Sequence, residues 1–75
     1  MYIERIRFIV RRTRDYAIMC GFEGEFKFLK ERGVRATTIK TYPNENKAYA
    51  SAKSAFGYEE HEIFLEEIRE VISNY

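Results

Sequence analysis

Between Ile3 and Arg12 the chain alternates. Ile6, Phe8 and Val10 share one parity, and Arg5, Arg7, Ile9 and Arg11 share the other. Period two over a β-branched and aromatic run is the pattern of a half-buried strand, because successive side chains of extended backbone point to opposite faces. One face reads as core and the other as rich in guanidinium groups. A lone strand leaves its backbone polar groups unpaired, so the rest of the chain has to supply a sheet.

Thr13-Arg14-Asp15 breaks the alternation, and Tyr16, Ile18, Cys20 and Phe22 then alternate with Ala17, Met19 and Gly21. The two runs read as a hairpin. Gly21 and Gly24 bracket Phe22-Glu23, so the following Glu25-Phe26-Lys27-Phe28-Leu29 either continues the second strand past a bulge or forms a short third strand. Lys30 to Gly33 is a polar turn, and Arg35 to Tyr42 is another β-prone run. Pro43 ends it, since proline cannot donate to a ladder. Asn44 is placed to cap a helix in which Ala48, Ala52, Ala55 and Phe56 form one small face, with Gly57 as its stop.

The final segment has two readings. Phe64, Leu65, Ile68, Val71, Ile72 and Tyr75 have helical spacing, with Glu62, Glu66, Arg69 and Glu70 opposite, which predicts a second, acidic amphipathic helix. The competing reading is a strand from Glu62 to Ile68. The expected fold is thus a single α+β domain over residues 1–75. It has a three- to four-stranded antiparallel sheet packed by one alanine-rich helix, with a C-terminal acidic amphipathic helix.

Seventy-five residues allow one core and no more. A core of this size supplies only about 3–5 kcal/mol, so support from a partner or from a second copy is expected. Hydrophobic residues at 45% and aromatics at 16% are too many for a disordered chain. The single cysteine, Cys20, and the single histidine, His61, predict neither an intramolecular disulfide nor a structural zinc site. No cofactor is expected. No apolar run reaches membrane-spanning length, and the charged start Met1 to Arg5 is unlike a leader, which predicts a cytoplasmic protein.

Net charge is +1, but it is unevenly distributed along the chain. Residues 1–53 hold twelve Lys/Arg against six Asp/Glu, a net +6, and residues 54–75 hold one Arg against six Glu, a net −5. Such polarity suits charge-steered binding or head-to-tail self-association. Arg5, Arg7, Arg11 and Lys40 are candidate phosphate contacts on a sheet face. Glu59, Glu60, Glu62, Glu66 and Glu70, with Tyr42, Tyr49 and Tyr58, are candidate protein-interface residues, since tyrosine offers a large rigid face at low entropy cost. Tyr2 is a further exposed tyrosine of this kind. Cys20 and His61 fall on separate elements with no nucleophile elbow or oxyanion loop, and no glycine-rich loop cradles a phosphate. Neither catalysis nor nucleotide binding is expected.

The strand Arg7-Phe8-Ile9-Val10-Arg11-Arg12, the run Asp15-Tyr16-Ala17-Ile18-Met19-Cys20-Gly21-Phe22, the run Ile39-Lys40-Thr41-Tyr42 and the alanine-rich helix together resemble small accessory proteins of phages and prophages of Gram-positive bacteria. The Arg-rich first strand is also similar to that of the arm-binding amino-terminal domains of tyrosine integrases, although the glutamate-rich end departs from them. The first resemblance implies a protein of mobile-element origin, including inhibitors of host or CRISPR-type defence proteins, acting in the host cytoplasm. The leading expectation is a non-enzymatic protein-binding module. The alternatives are a small DNA- or RNA-binding accessory protein using the Arg-rich strand, and a structural homodimer.

Overall fold

The computed structural model describes residues 2–35 and 38–74 of the chain. Its elements run β1 (Tyr2–Arg12), β2 (Ile18–Phe22), β3 (Glu25–Leu29), α1 (Glu45–Phe56) and β4 (Ile63–Asn74), with 3-10 turns at Glu31–Gly33 and Glu60–Glu62. The four strands make one antiparallel sheet in the order β3-β2-β1-β4.

Local chemistry accounts for most of these boundaries. Asp15 ends the first hairpin by accepting from the backbone N–H of Ala17 at 3.2 Å and holding Arg12 with both carboxylate oxygens, at 3.0 and 2.7 Å. At the next turn Glu23 and Gly24 both take positive φ, 49° and 81°, which matches the twist of a tight hairpin and makes β3 a separate strand, not a continuation of β2. Asn44 Oδ1 accepts from the N–H of Lys47 at 2.8 Å and opens α1. Gly57, at φ 72°, closes it with an N–H donated to the Lys53 carbonyl.

The acidic C-terminal helix expected from spacing is instead a strand. β4 pairs with β1 along its whole length, with Arg5 opposite Glu70, Phe8 opposite Glu67 and Val10 opposite Leu65, and one bulge near the far end between Ile3 and Glu4. As an added strand it pairs the edge of the eleven-residue β1 that β2 and the 39–42 segment leave open. The β-prone run over residues 35–42 also differs from expectation. Ala36 and Thr37 lie outside the described residues, and the remainder makes two isolated bridges, Ile39 with Cys20 and Tyr42 with Phe8. β1 and β2 meet in one pair, Arg11 with Ile18, and beyond it the 39–42 segment bonds to both strands.

Both faces of the sheet are covered over part of their length, whereas Ile3, Ile6, Val71 and Ile72 at the far end of the β1–β4 pair are exposed, so Ile6 is not core as its parity with Phe8 and Val10 suggests. On one face, Val10, Met19 and Ile63 pack against Ala48 and Ala52 of α1, ringed by Phe8, Phe28, Tyr42, Tyr49, Phe56, Tyr58 and Leu65. The alanines let the helix lie close to the strands. On the other, Ile9, Ile18 and Cys20 are sealed by Leu29, Val34, Ile39 and Ile68, so the connection after β3 acts as a second lid. Ile9 is therefore core, although its parity placed it among the arginines. Among the described residues no helix is long and apolar enough to cross a membrane.

Candidate protein-binding groove

Part of the charge polarity of the sequence is offset in space by pairs between β1 and β4. Arg5 Nη2 lies 2.6 Å from Glu70 Oε1, Arg11 Nε lies 3.3 Å from Glu66 Oε1, and Arg69 Nη1 lies 3.2 Å from Glu4 Oε1. Arg11 also reaches Glu31 at 3.7 Å and donates to the Tyr16 carbonyl at 2.9 Å. Arg7 is turned to the 39–42 segment, where its Nη2 donates to the Thr41 carbonyl at 2.8 Å and its Nε to Thr41 Oγ1 at 3.2 Å. Lys40 lies across Gly21, with its ammonium 5.4 Å from the centre of the Phe26 ring. The four candidate phosphate contacts are thus engaged within the fold, and two of the candidate interface glutamates, Glu66 and Glu70, are their partners.

Four of the other interface candidates, Tyr49, Tyr58, Glu59 and Glu60, gather elsewhere. Tyr49, Ala50 and Lys53 on α1 face Tyr58, Glu59, Glu60 and His61 on the chain leaving it, across an open groove of about 610 Å³. The αL turn at Gly57 creates this arrangement by sending the chain back along the flank of its own helix. A smaller groove of about 270 Å³ adjoins it and shares Tyr58 and His61, with Arg12, Thr13, Arg14 and Glu62 on its far side.

Tyr58 is held in a fixed pose. Its ring stacks on Phe56 and meets Phe28 edge-on, with both centroid distances 5.6 Å, and Phe28 contacts Phe56 at 4.9 Å. The Arg12 guanidinium sits 5.0 Å from the centre of the Phe28 ring and donates to Tyr58 Oη at 3.4 Å. Arg12 in turn is clamped by Asp15, and that hydrogen-bonded contact holds the Asp15 carboxyl down at about 2. Asp15, Arg12 and Tyr58 form a chain of contacts from the first hairpin to the groove wall.

The floor of the turn is ordered by its own ends. Glu59 and Glu62 cap the 60–62 turn reciprocally, each side chain accepting from the other's backbone N–H, and Glu59 N lies 3.3 Å from Glu62 Oε1. Glu62 therefore serves as a cap, half-buried, with Glu59 and Glu60 exposed beside it. Among the described residues none of these three carboxylates is ion-paired within 4.0 Å, and in the groove Glu59 and Glu60 outnumber the single cation Lys53. Tyr42 lies apart from the groove's lining. It is half-buried, its hydroxyl bonds Ser51 Oγ at 2.5 Å, and burial raises its pKa. The side chain of Tyr2 lies outside the described residues.

Cys20 sits in the second core cluster, where its thiol donates to the Ile18 carbonyl at 3.4 Å and burial pushes its pKa up. His61 is on the groove, so the two are not brought together. The clamp of Arg12 onto Tyr58 was absent from the sequence reading, and only the Arg-x-x-Asp spacing of Arg12 and Asp15 hinted at it. No family model, curated protein or solved structure matches this chain.

Proposed function

We propose that this protein is a non-enzymatic protein-binding module that grips a basic, partly apolar segment of another protein in the Tyr49–Tyr58 groove. The observation that carries this reading is the convergence of two tyrosine rings and the exposed Glu59 and Glu60 on one open groove. Rigid aromatic surface with low entropy to lose is what interface anchors provide, and an excess of carboxylates at the rim selects a cationic partner. An aliphatic or aromatic side chain between the tyrosines, flanked by Lys or Arg, is the complement. The phage-like sequence pattern supports a mobile-element origin and an accessory role in a host cell, with occupation of a host or defence protein's site as the form of activity. Nucleic-acid binding by Arg5, Arg7, Arg11 and Lys40 is disfavoured by their internal partners.

The test is retention of a partner from a Gram-positive lysate on the tagged protein, with and without nuclease, for the wild type and for Glu60→Lys combined with Tyr49→Ala. A stoichiometric protein that survives nuclease and is lost by the double variant supports the groove. Equal retention by both forms sinks it. Retention that disappears with nuclease transfers the function to the arginines.

A further inference from the structure

The two edges of the sheet are not alike. β3 is five residues long and carries exposed Glu25 and Lys27, a short charged edge of the kind that resists pairing. β4 is twelve residues long, contains no Pro, Gly or Lys although it carries Glu66, Glu67, Arg69 and Glu70, and among the described residues pairs on one side only. We propose that two copies of this chain join along β4, antiparallel, about a two-fold axis at Ile68, making one continuous eight-stranded sheet.

The hydrogen-bond phase of β1 fixes which residues of β4 can take part. Phe8 exchanges both backbone bonds with Tyr42, each at 2.9 Å, so its N–H and C=O point away from β4. In an antiparallel ladder the sense alternates, so Arg7 and Ile9 bond to β4 through Ile68 and Glu66. Leu65, Glu67, Arg69 and Val71 then turn their backbone groups to the open edge. A second β4 must meet this edge with the same residues.

Compared with axes at Glu67 or Arg69, the axis at Ile68 is set apart by the opposite-charge pairs it forms across the edge. It places Glu67 opposite Arg69 of the second copy, twice by symmetry, and Leu65 opposite Val71. Moving the axis to Glu67 or Arg69 puts a charge on its own copy instead, and like charges directly opposite are destabilising. On the reverse face Ile68 meets Ile68 at the axis. Glu66 there faces Glu70, and each of these carboxylates already has an arginine of β1 beside it, Arg11 and Arg5. Arg69 also bonds Glu4 and, with its side chain 73% exposed, is free to share itself with the second copy's Glu67. The pairing extends cover to Val71, 54% exposed in the single chain. It uses none of the residues that line the Tyr49–Tyr58 groove and stands or falls independently of the function proposed for it.

Sedimentation equilibrium of the whole protein at micromolar concentration tests the proposal, with circular dichroism confirming that each variant folds. The wild type is expected at the mass of two chains. Glu67→Arg sets like charges opposite each other twice and raises the dissociation constant by roughly tenfold. Adding Arg69→Glu restores the complement and the dimer. A non-hydrogen-bonded pair at the axis brings Cα atoms to about 4.5 Å, close enough for a disulfide, so Ile68→Cys cross-links on oxidation and the wild type does not. A folded wild type at the mass of one chain overturns the proposal and leaves the edge to a strand of another protein. A dimer indifferent to Glu67→Arg, with no cross-link at position 68, overturns it in favour of a different surface.

Discussion

Arg5 and Glu70 stand directly opposite one another on β1 and β4, with Nη2 and Oε1 2.6 Å apart and Nε 3.1 Å from the same oxygen. They come from the basic and acidic ends of the chain, and with Arg11 and Glu66 their meeting offsets part of the charge polarity of the sequence. Both side chains remain partly exposed, 48% and 37%, so the pair is worth no more than about 0.5–1 kcal/mol after solvent screening. A double-mutant cycle of Arg5→Ala and Glu70→Ala in urea unfolding should give a coupling of this size. Repeating it in 1 M salt, where the screening length drops to roughly 3 Å, should remove most of it.

Arg7 looks from sequence like a phosphate contact and acts in the fold as a brace. Its two bonds to Thr41 tie β1 to the segment that continues the sheet between Phe8 and Met19. Arg7→Ala should lower stability by about 1–3 kcal/mol, because the Thr41 carbonyl loses a charged donor in a half-buried site. The same reasoning predicts no mobility shift of duplex or single-stranded DNA by the wild type, even at low salt. A shift that weakens steeply with salt would mean that the arginines leave their internal partners for phosphate.

The contrast between α1 and β4 shows where sequence signals are sufficient. Asn44, the small face of Ala48 and Ala52, and Gly57 act within a few residues of one another, so the helix is legible from end to end. In β4, Ile63 and Leu65 face α1 while Ile68 faces the connection after β3. Cover on both faces erases the two-residue period, and the apolar residues left over happen to fall at helical intervals. The β-branched content of Ile63, Ile68, Val71 and Ile72 was the available signal for a strand. The candidate site divides in the same way. Tyr58, Glu59 and Glu60 are contiguous and were found together, whereas the pairing of Glu66 with Arg11 depends on a register between chain ends that no local pattern encodes.

The Asp15 carboxyl makes stability depend on acid. Its folded pKa, about 2, lies below its ordinary value of 3.8, chiefly through the hydrogen bonds from Arg12. A depressed carboxyl favours the folded state at pH above its ordinary value, and that contribution is lost as pH falls from 3.8 towards 2. In Asp15→Asn the charge is gone at every pH. The melting temperature of the wild type should therefore exceed that of the variant at neutral pH, and the two curves should converge as pH approaches 2. Parallel curves through that window would show that the Arg12 contact contributes nothing to folding.

Met19 is fully buried between the strands and α1, in contact with the cluster that includes Val10, Ala48, Ala52 and Ile63. Truncation to alanine removes most of its side chain from the cluster that packs the helix on the sheet, and substitutions of this type cost about 2–5 kcal/mol. A domain this small has roughly 3–5 kcal/mol in its core, so Met19→Ala should leave a substantial unfolded fraction at room temperature. Met19→Leu nearly conserves volume and should cost less than about 1.5 kcal/mol. Far-ultraviolet circular dichroism of the two variants separates these outcomes. If the β4 pairing forms, raising the protein concentration should recover folded Met19→Ala, since association stabilises only the folded chain. Recovery that fails when Glu67→Arg is added would tie that rescue to the β4 edge.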